Sequence, residues 1–409
     1  MFNMTNQVKL RILFALLFLA GSAHAQNTFH ELEGEWRGEF TIRDNTKAPF
    51  NFEISGDGKV YLLNADERFE TGVLRRKEDS VFIPLDQFDN ELALKINRNG
   101  QLSGYLRKQN KPGLQVPVTA KQGSSRFHQP SRSPIKDFSG KYEVQFTFAS
   151  GNKEKCVAVF HQQGSKLTGT FLKPSGDARY LEGMVDGNHF YLSSFIGSTP
   201  GYYEGTITAD GKISGVQLGT KVKNSFSGTF NPDAQLEDPF AVSHLKKGYS
   251  SLEFSLPDME GNIVSTSDER FNNKVLIIAI TGTWCPNCID EAAFLSPWYK
   301  RNKGRGVEVI SIHYERQSDT AFTHKVMRRF QKRFDITYAQ VFGGIANNDS
   351  VSRSLPALAS FKVFPTTIFI GRKGNVSKIH AGFSGPATGK FYDDFVKEFN
   401  EEVDRLLAE

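Results

Sequence analysis

Cysteine is scarce in this sequence, since only three of its 409 residues are of this type. An odd number allows at most one disulfide within the chain, so a framework of several disulfides is excluded. Cys285 and Cys288 are separated by two positions and are close enough to be that pair. Cys156 lies in a strand-like apolar run, and we expect it to behave as a small buried hydrophobic residue.

Long hydrophobic runs are also lacking, because no stretch after residue 25 is long and apolar enough to span a membrane. The start of the chain has Lys9 and Arg11, then the apolar residues 12–20, then Ala-His-Ala at 23–25. This pattern is typical of a secretory signal peptide cleaved before Gln26. We therefore expect an exported protein, periplasmic or secreted, with no stable membrane insertion.

Positively charged residues only slightly outnumber negatively charged ones. The formal net charge of +5 falls to +3 when the predicted signal peptide is removed, because Lys9 and Arg11 are lost with it. Nucleic-acid binding needs clustered basic faces, so no nucleic-acid partner is expected. The densest basic run, within residues 325–333, has the spacing of a solvated helix face opposite Val326 and Phe330.

Residues 26–233 have the pattern of antiparallel β-structure in two related halves. Residues 32–40 resemble residues 138–146, since both have an apolar residue, then Gly, then aromatic or apolar side chains at every second position. The polar residues 122–134 separate the halves. We predict two all-β modules, each barrel- or sandwich-like, at 26–121 and 135–233. No metal-ligand spacing or nucleophile motif lies in them, so structural or docking use is the default.

The pattern changes to alternating strands and helices in the last part of the chain, for which we predict one α/β domain at 250–409. An apolar strand at 274–280 precedes a helix at 285–300, and a second strand and helix follow. A hairpin and a closing helix from about Lys390 complete the layout. Residues 231–239 have the composition of a linker, across which few contacts are expected.

The residues that could carry out a reaction lie at the start of the first helix of this domain. Residues 284–288, Trp-Cys-Pro-Asn-Cys, follow directly after a buried strand. The first turn of a helix offers unpaired N–H groups and the positive end of the dipole, which would stabilise a Cys285 thiolate. Cys288, one turn later, would resolve a mixed disulfide. Zinc would need a second ligand pair, and a structural disulfide across so short a loop would add little stability.

The region from about Leu252 to the end resembles the extracytoplasmic thioredoxin-like thiol–disulfide oxidoreductases of the TlpA/ResA type. The resemblance rests on residues 284–288, on Phe-Pro-Thr-Thr at 364–367, and on Gly-Phe-Ser-Gly-Pro at 382–386. It covers less than half of the chain. It implies a thioredoxin-like fold, with an extra helical insertion between Tyr338 and Phe361.

The resemblance also implies roles for particular residues. Pro365 would be a cis proline facing the cysteine pair, and Glu291 would exchange a proton with a thiol; the alternative for Glu291 is a solvated helix residue. Ala279 replaces the buried acid of thioredoxins. The residues expected to contact a substrate lie on both sides of the pair: Trp284, Pro286, Asn287, Phe364, Pro365 and Thr366.

We therefore expect a disulfide reductase that acts through a mixed disulfide at Cys285, resolved by Cys288, with no cofactor and no metal. Its partners would be client proteins with disulfides or thiols and an unidentified redox partner. Three alternatives remain: a peroxidase on the same fold, a copper chaperone, and a ligand- or partner-binding β-rich protein with an accessory redox domain. A copper chaperone would need a distant histidine besides the two cysteines, and neither His313 nor His380 lies in the loop expected to face the pair. The peroxidase motif is not matched, because Gly282 and Ile278 replace its hydroxyl residue and proline.

Overall fold

The computed structural model describes residues 29–109, 113, 115–359 and 361–409. The predicted signal peptide lies outside these residues. Among the described residues, no helix is long and apolar enough to cross a membrane. The chain divides into two compact units. The first contains the residues up to His128 together with Phe195–Pro200, and the second contains Gln129–Ser194 with Gly201–Glu409.

The first unit is an antiparallel β-structure of nine strands in the order β4-β3-β2-β1-β9-β8-β7-β6-β5. Alternate side chains of the first strand, among them Trp36 and Phe40, are buried, which is the pattern of a strand with one face on a core. The strands are β1 Gly34–Thr41, β2 Lys47–Ile54, β3 Lys59–Asn64, β4 Glu67–Val73, β5 Arg75–Lys77, β6 Ser80–Leu85, β7 Asn90–Ile96, β8 Leu102–Lys108 and β9 Val116–Gln122.

The second unit begins with a closed antiparallel barrel, because β11 pairs both with β10 and with β12. Aromatic side chains fill its interior, among them Phe146, Phe160, Phe171 and Phe226, all almost fully buried. The strands are β10 Gly140–Thr147, β11 Lys153–Gln163, β12 Lys166–Lys173, β13 Gly176–Asp177, β14 Leu181–Asp186, β15 His189–Ser194, β16 Gly201–Ile207, β17 Lys212–Leu218 and β18 Lys223–Phe230. The short β13 pairs only with the end of β12 among these strands.

The internal repeat seen in the sequence has a shared local structure. Trp36 Nε1 donates a hydrogen bond of 2.8 Å to the carbonyl oxygen of Leu32, and Tyr142 Oη donates one of 3.1 Å to that of Phe138. Each bond joins a buried aromatic residue to the residue four positions earlier, where the module begins. The predicted all-β class of both modules is confirmed.

The rest of the second unit is a five-stranded mixed sheet with helices, in the order β23-β22-β21-β24-β25. Strands β21, β22 and β23 are parallel to one another. Strand β24 pairs antiparallel with β21, and β25 pairs antiparallel with β24. The strands are β19 Ser255–Pro257, β20 Ile263–Ser265, β21 Val275–Thr281, β22 Val307–Glu315, β23 Ala339–Ile345, β24 Thr366–Ile370 and β25 Val376–Ala381. The helices are α1 Pro286–Asn302, α2 Thr320–Phe334, α3 Asn348–Ser354 and α4 Lys390–Ala408.

The central position of β21 follows from its composition, because all seven of its residues are apolar or small and all are buried. Alternate side chains of β21 enter cores on the two faces of the sheet. On the face of α1 and α4, Phe399 packs edge-on against Trp298 and Phe369. The predicted α/β layout is confirmed, and α3 lies in the segment where an additional helix was expected.

The expectation that few contacts cross residues 231–239 is wrong. Ala234 is buried with barrel residues Val157 and Leu172, and Phe391 of α4 packs against the same cluster. Pro239 accepts a hydrogen bond through its carbonyl oxygen from the amide of Ala381 in β25. The linker-like composition reflects local turn geometry, and it carries no information about what the segment packs against.

Candidate redox site

Cys285 and Cys288 lie where β21 meets α1. Cys285 is the N-cap residue of α1 with extended backbone angles, and Pro286 occupies the first helical turn, where its missing N–H costs nothing. Cys285 is 5% exposed and Cys288 is fully buried. The Cys285 thiol donates a hydrogen bond of 3.6 Å to the carbonyl oxygen of Phe364. Of the two sulfur atoms, that of Cys285 is the one nearer to solvent.

The environment of Cys288 opposes its ionisation. Burial is the main reason why the pKa of the Cys288 thiol is raised well above its ordinary value, and a hydrogen bond and a charge interaction with Cys285 add to the rise. The Glu291 carboxylate acts in the same direction, whereas a hydrogen bond with Thr281 acts against it. Cys288 therefore holds its proton at neutral pH unless a nearby base removes it.

Glu291 is a buried acid beside this thiol, three positions after Cys288 in the same helix. Its side chain is 3% exposed, so the solvated alternative considered for it is wrong. Burial raises the pKa of Glu291 to about 7, although a hydrogen bond from the Thr367 hydroxyl, 2.6 Å to Oε1, lowers it. Thr367 pairs with Ala279 across β24 and β21. The Glu291 carboxyl group is therefore bonded to the residue that pairs with Ala279, the position at which thioredoxins have a buried acid.

The loop before β24 closes the other side of the site. The Phe364–Pro365 peptide bond is cis, as the resemblance implied. The Trp284 ring packs edge-on against Phe364 at 5.5 Å between centroids, and Trp284 Nε1 donates 2.9 Å to the carbonyl oxygen of Tyr314. Thr366 is fully buried and its hydroxyl donates to the Val363 carbonyl oxygen. Its contact with a substrate stays a prediction.

Arg316 is a member of the site that sequence reasoning missed. Its guanidinium lies over the Trp284 ring, 4.5 Å from the centroid, and interacts electrostatically with Cys285. Burial lowers the pKa of Arg316, and the charges of Cys285 and Glu315 oppose that shift. A cation beside a nucleophilic sulfur favours its thiolate. The residue follows β22 in a loop, and no motif in the sequence distinguishes it.

Pro286 and Asn287, expected to contact a substrate, are brought against the barrel of the same unit. The Pro286 carbonyl oxygen accepts a hydrogen bond of 2.9 Å from Arg179 Nη1. Asn287 Nδ2 donates to both the carbonyl and the side-chain oxygen Oδ1 of Asp177, each at 3.3 Å. These barrel residues were also missed, because they lie more than 100 positions away from the motif.

The two histidines of the copper-chaperone alternative are engaged elsewhere. His313 is buried, with Nε2 bonded to Ser311 and Gln340, and His380 packs against Phe240. Burial lowers the pKa of His380 to about 4. Within the described part of the chain, no group of three or more His, Cys, Asp and Glu side chains could hold a metal ion. Neither histidine is therefore brought into a metal-binding group with the cysteines.

Known proteins resemble the region that contains this site. The AhpC/TSA family model matches residues 248–379. The thiol-disulfide oxidoreductase ResA of Halalkalibacterium halodurans is 25% identical over 39% of this chain and 77% of that protein. ResA of Bacillus subtilis is 25% identical over 34% of this chain and 69% of its own length. The C-terminal part of the chain is a thioredoxin-like domain that is similar to ResA.

The names of these relatives support an oxidoreductase activity for this ResA-like domain. A thioredoxin family protein from Chlorobium tepidum TLS is 20% identical, covers 40% of this chain and 98% of its own, and has a TM-score of 0.30. The assignment accordingly rests on the sequence relatives and on the sheet order. It covers neither β-module.

Proposed function

We propose that this protein is an extracytoplasmic disulfide reductase in which Cys285 attacks a client disulfide and Cys288 resolves the mixed disulfide. The observation that carries the proposal is the asymmetry of the pair. Cys285 caps α1 and lies nearer to solvent, whereas Cys288 is fully buried with a raised pKa. The thiolate is the nucleophile in exchange, so the two positions suit an attacking and a resolving thiol.

The electrons and protons balance across two exchange steps. The Cys285 thiolate forms a bond to one client sulfur, and the client disulfide breaks with release of one client thiolate. Deprotonated Cys288 then attacks the Cys285 sulfur, the mixed disulfide breaks, and the second client thiolate leaves. The client gains two electrons and the Cys285–Cys288 pair loses two. A separate redox partner must supply a dithiol to reduce the pair again.

Glu291 supplies the proton transfer that the second step requires. Cys288 must lose a proton before it can attack, and the carboxylate that interacts with it has a pKa of about 7. A base with a pKa near the working pH is effective in both directions of proton transfer. The Thr367 hydroxyl holds Glu291 Oε1 through its 2.6 Å hydrogen bond. The four residues Cys285, Cys288, Glu291 and Thr367 thus have distinct functions.

Location and partners belong to the same proposal. The basic start, apolar residues 12–20 and Ala-His-Ala at 23–25 support export to the periplasm or the medium. Trp284, Phe364 and Pro365 form the rim at Cys285, where an extended client segment would bind. The clients are proteins with disulfides or thiols, as the relatives' name, thiol-disulfide oxidoreductase, suggests.

Insulin reduction with dithiothreitol as electron donor tests the proposal. Cys285→Ser should abolish turnover. When the reduced protein is mixed with insulin without dithiothreitol, Cys288→Ser should accumulate mixed disulfides, which added dithiothreitol then releases. Cys156→Ala is the matched control, because this thiol is buried inside the barrel and burial raises its pKa to about 12. It should retain full activity.

Two results would contradict the proposal. The first is trapping of mixed disulfides by Cys285→Ser instead of Cys288→Ser, which would reverse the assignment. The second is rapid consumption of hydrogen peroxide by the wild type with no insulin reduction, which would favour the peroxidase alternative. Copper binding is checked in the same preparation by titration of Cu(I).

A further inference from the structure

A short segment of the barrel lies against the first turn of α1, the helix that begins at the cysteine pair. Residues 174–180 connect β12 to β14 and include β13. Their contacts reach three parts of the ResA-like domain, namely the Pro286–Asn287 dipeptide, Asp290 of α1, and the loop that follows β25. None of these contacts belongs to the exchange steps described above.

Asp177 joins three chain segments through one carboxylate. Its Oδ2 accepts a hydrogen bond of 2.6 Å from the Gly385 amide, and its Oδ1 accepts from the Arg179 amide at 2.6 Å. Asn287 Nδ2 donates to Oδ1 as well, at 3.3 Å. Burial raises the pKa of Asp177, and these hydrogen bonds oppose the shift. A carboxylate with so many donors fixes the position of each donor.

Arg179 places a buried positive charge at the same helix turn. Its side chain is 7% exposed and its Nη1 pairs with Asp290 Oδ2 at 2.5 Å. The same nitrogen donates 2.9 Å to the carbonyl oxygen of Pro286, the residue that follows Cys285. Charges removed from solvent are screened far less than surface charges. The guanidinium therefore binds both groups strongly and fixes the first turn of α1 against the barrel.

The two surfaces approach each other too closely for larger side chains. A Cβ on Gly176 would lie 2.7 Å from Cγ of Asn287, and one on Gly382 would lie 2.6 Å from the carbonyl oxygen of Pro174. Both glycines also have positive φ angles, +118° and +79°, which other residues adopt at a cost. The Asn287 side chain therefore packs directly on the backbone of the barrel segment at Gly176.

We propose that Asp177 and Arg179 are positioning residues of the redox site, which hold the Pro286–Asn287 dipeptide and set the reduction potential of the Cys285–Cys288 pair. The inference rests on the proposed function only in that the pair cycles between dithiol and disulfide. The reduced pair carries the thiolate, so a nearby cation stabilises the reduced form and raises the potential, whereas a nearby carboxylate lowers it.

The test is the equilibrium constant of the pair with glutathione, measured on the full chain. Arg179→Gln should shift the equilibrium about 3- to 10-fold toward the disulfide, which is about 15–30 mV. Asp177→Asn should shift it in the opposite direction. Arg179→Lys keeps the charge and should recover at least half of the Arg179→Gln shift. A merely structural role would not produce shifts of opposite sign.

Lys212→Gln is the matched control, because Lys212 is an exposed barrel cation that pairs with Asp210 in the β16–β17 hairpin. It should leave the equilibrium constant unchanged. Gly176→Ala perturbs the contact between the barrel segment and Asn287 without a change of charge. It replaces Arg179→Gln in the test if that variant does not fold, and it should shift the equilibrium constant at least 2-fold. Constants within 1.5-fold of the wild type for both Arg179→Gln and Gly176→Ala would overturn the proposal, as would shifts of the same sign for Arg179→Gln and Asp177→Asn.

These outcomes are separate from those of the proposed function. A wild type that equilibrates with glutathione but does not reduce insulin would contradict the reductase assignment. The comparison of the barrel variants would still stand in that case, since it needs no client protein.

Discussion

The hydroxyl of Thr367 donates a hydrogen bond of 2.6 Å to Oε1 of Glu291, and both side chains are almost fully buried. The bond ties an acid on α1 to the strand β24 that begins directly after Pro365. Its donor is neutral, and the hydrogen bond lowers the pKa of the carboxyl group. The pKa of Glu291 is raised to about 7 because burial outweighs that single bond.

Glu291→Gln should slow turnover on the order of 10²-fold at pH 7, because the amide cannot take the proton of Cys288. The loss should concern the resolving step, so the variant should accumulate mixed disulfide in rapid-quench experiments. Glu401→Gln, on an exposed position of α4, is the control and should behave as the wild type. Equal mixed-disulfide lifetimes in wild type and Glu291→Gln would contradict a role for Glu291.

The same acid should make stability depend on pH in a defined direction. The folded-state pKa of about 7 exceeds the ordinary value of 4.5, so the folded protein holds the proton more strongly than the unfolded chain does. The free energy of unfolding should therefore fall as the pH rises from about 4.5 to 7, by about 3 kcal/mol from this group.

Urea unfolding of the reduced protein at pH 5 and pH 8 measures this effect. Glu291→Gln should lack this part of the pH dependence, so the difference between the wild type and the variant should change between the two pH values. A difference that is the same at both pH values would show that Glu291 titrates normally in the folded state.

Alkylation should distinguish the two thiols of the pair. At pH 7, iodoacetamide should label Cys285 at least tenfold faster than Cys288, because Cys288 is fully buried and its pKa is raised. Peptide mapping by mass spectrometry gives the two rates in one sample. Faster labelling of Cys288 would show that the sulfur nearer to solvent is not the reactive one.

Arg316→Gln should slow alkylation of Cys285 about 3- to 10-fold, because the guanidinium interacts electrostatically with this sulfur and favours its thiolate. The stacked position over Trp284 also makes tryptophan fluorescence a check on local structure. Arg328→Gln removes an exposed cation that pairs with Glu260, and should not change the rate. An unchanged rate in Arg316→Gln would remove Arg316 from the site.

Phe171→Ala should destabilise the barrel of the second unit by about 3–5 kcal/mol, since it removes a fully buried ring that packs on Phe146, Phe160 and Tyr203. Denaturant unfolding followed by circular dichroism measures the loss. The exposed apolar residue Ile263 provides a control, and Ile263→Ala should cost well under 1 kcal/mol. A loss below 1 kcal/mol for Phe171→Ala would mean that the barrel interior is not closely packed.

Local pattern was enough to predict much of the molecule. The run at 274–280 predicted a strand that the structure places at Val275–Thr281, and the stripe from Lys390 predicted the helix Lys390–Ala408. The position of Cys285 at the start of a helix followed from the same reading. These features depend on the period of apolar side chains and on spacing within one element, which the sequence displays directly.

The surroundings of the cysteine pair were decided by tertiary structure. Glu291 is buried because β24 brings Thr367 to it, and Asn287 contacts Asp177, 110 residues earlier in the chain. Such meetings depend on how whole elements pack, and no local period or motif encodes them. The amino-acid sequence thus determined which residues can exchange electrons, whereas packing of the barrel, the sheet and α1 decided which groups hold their protons and position their backbone.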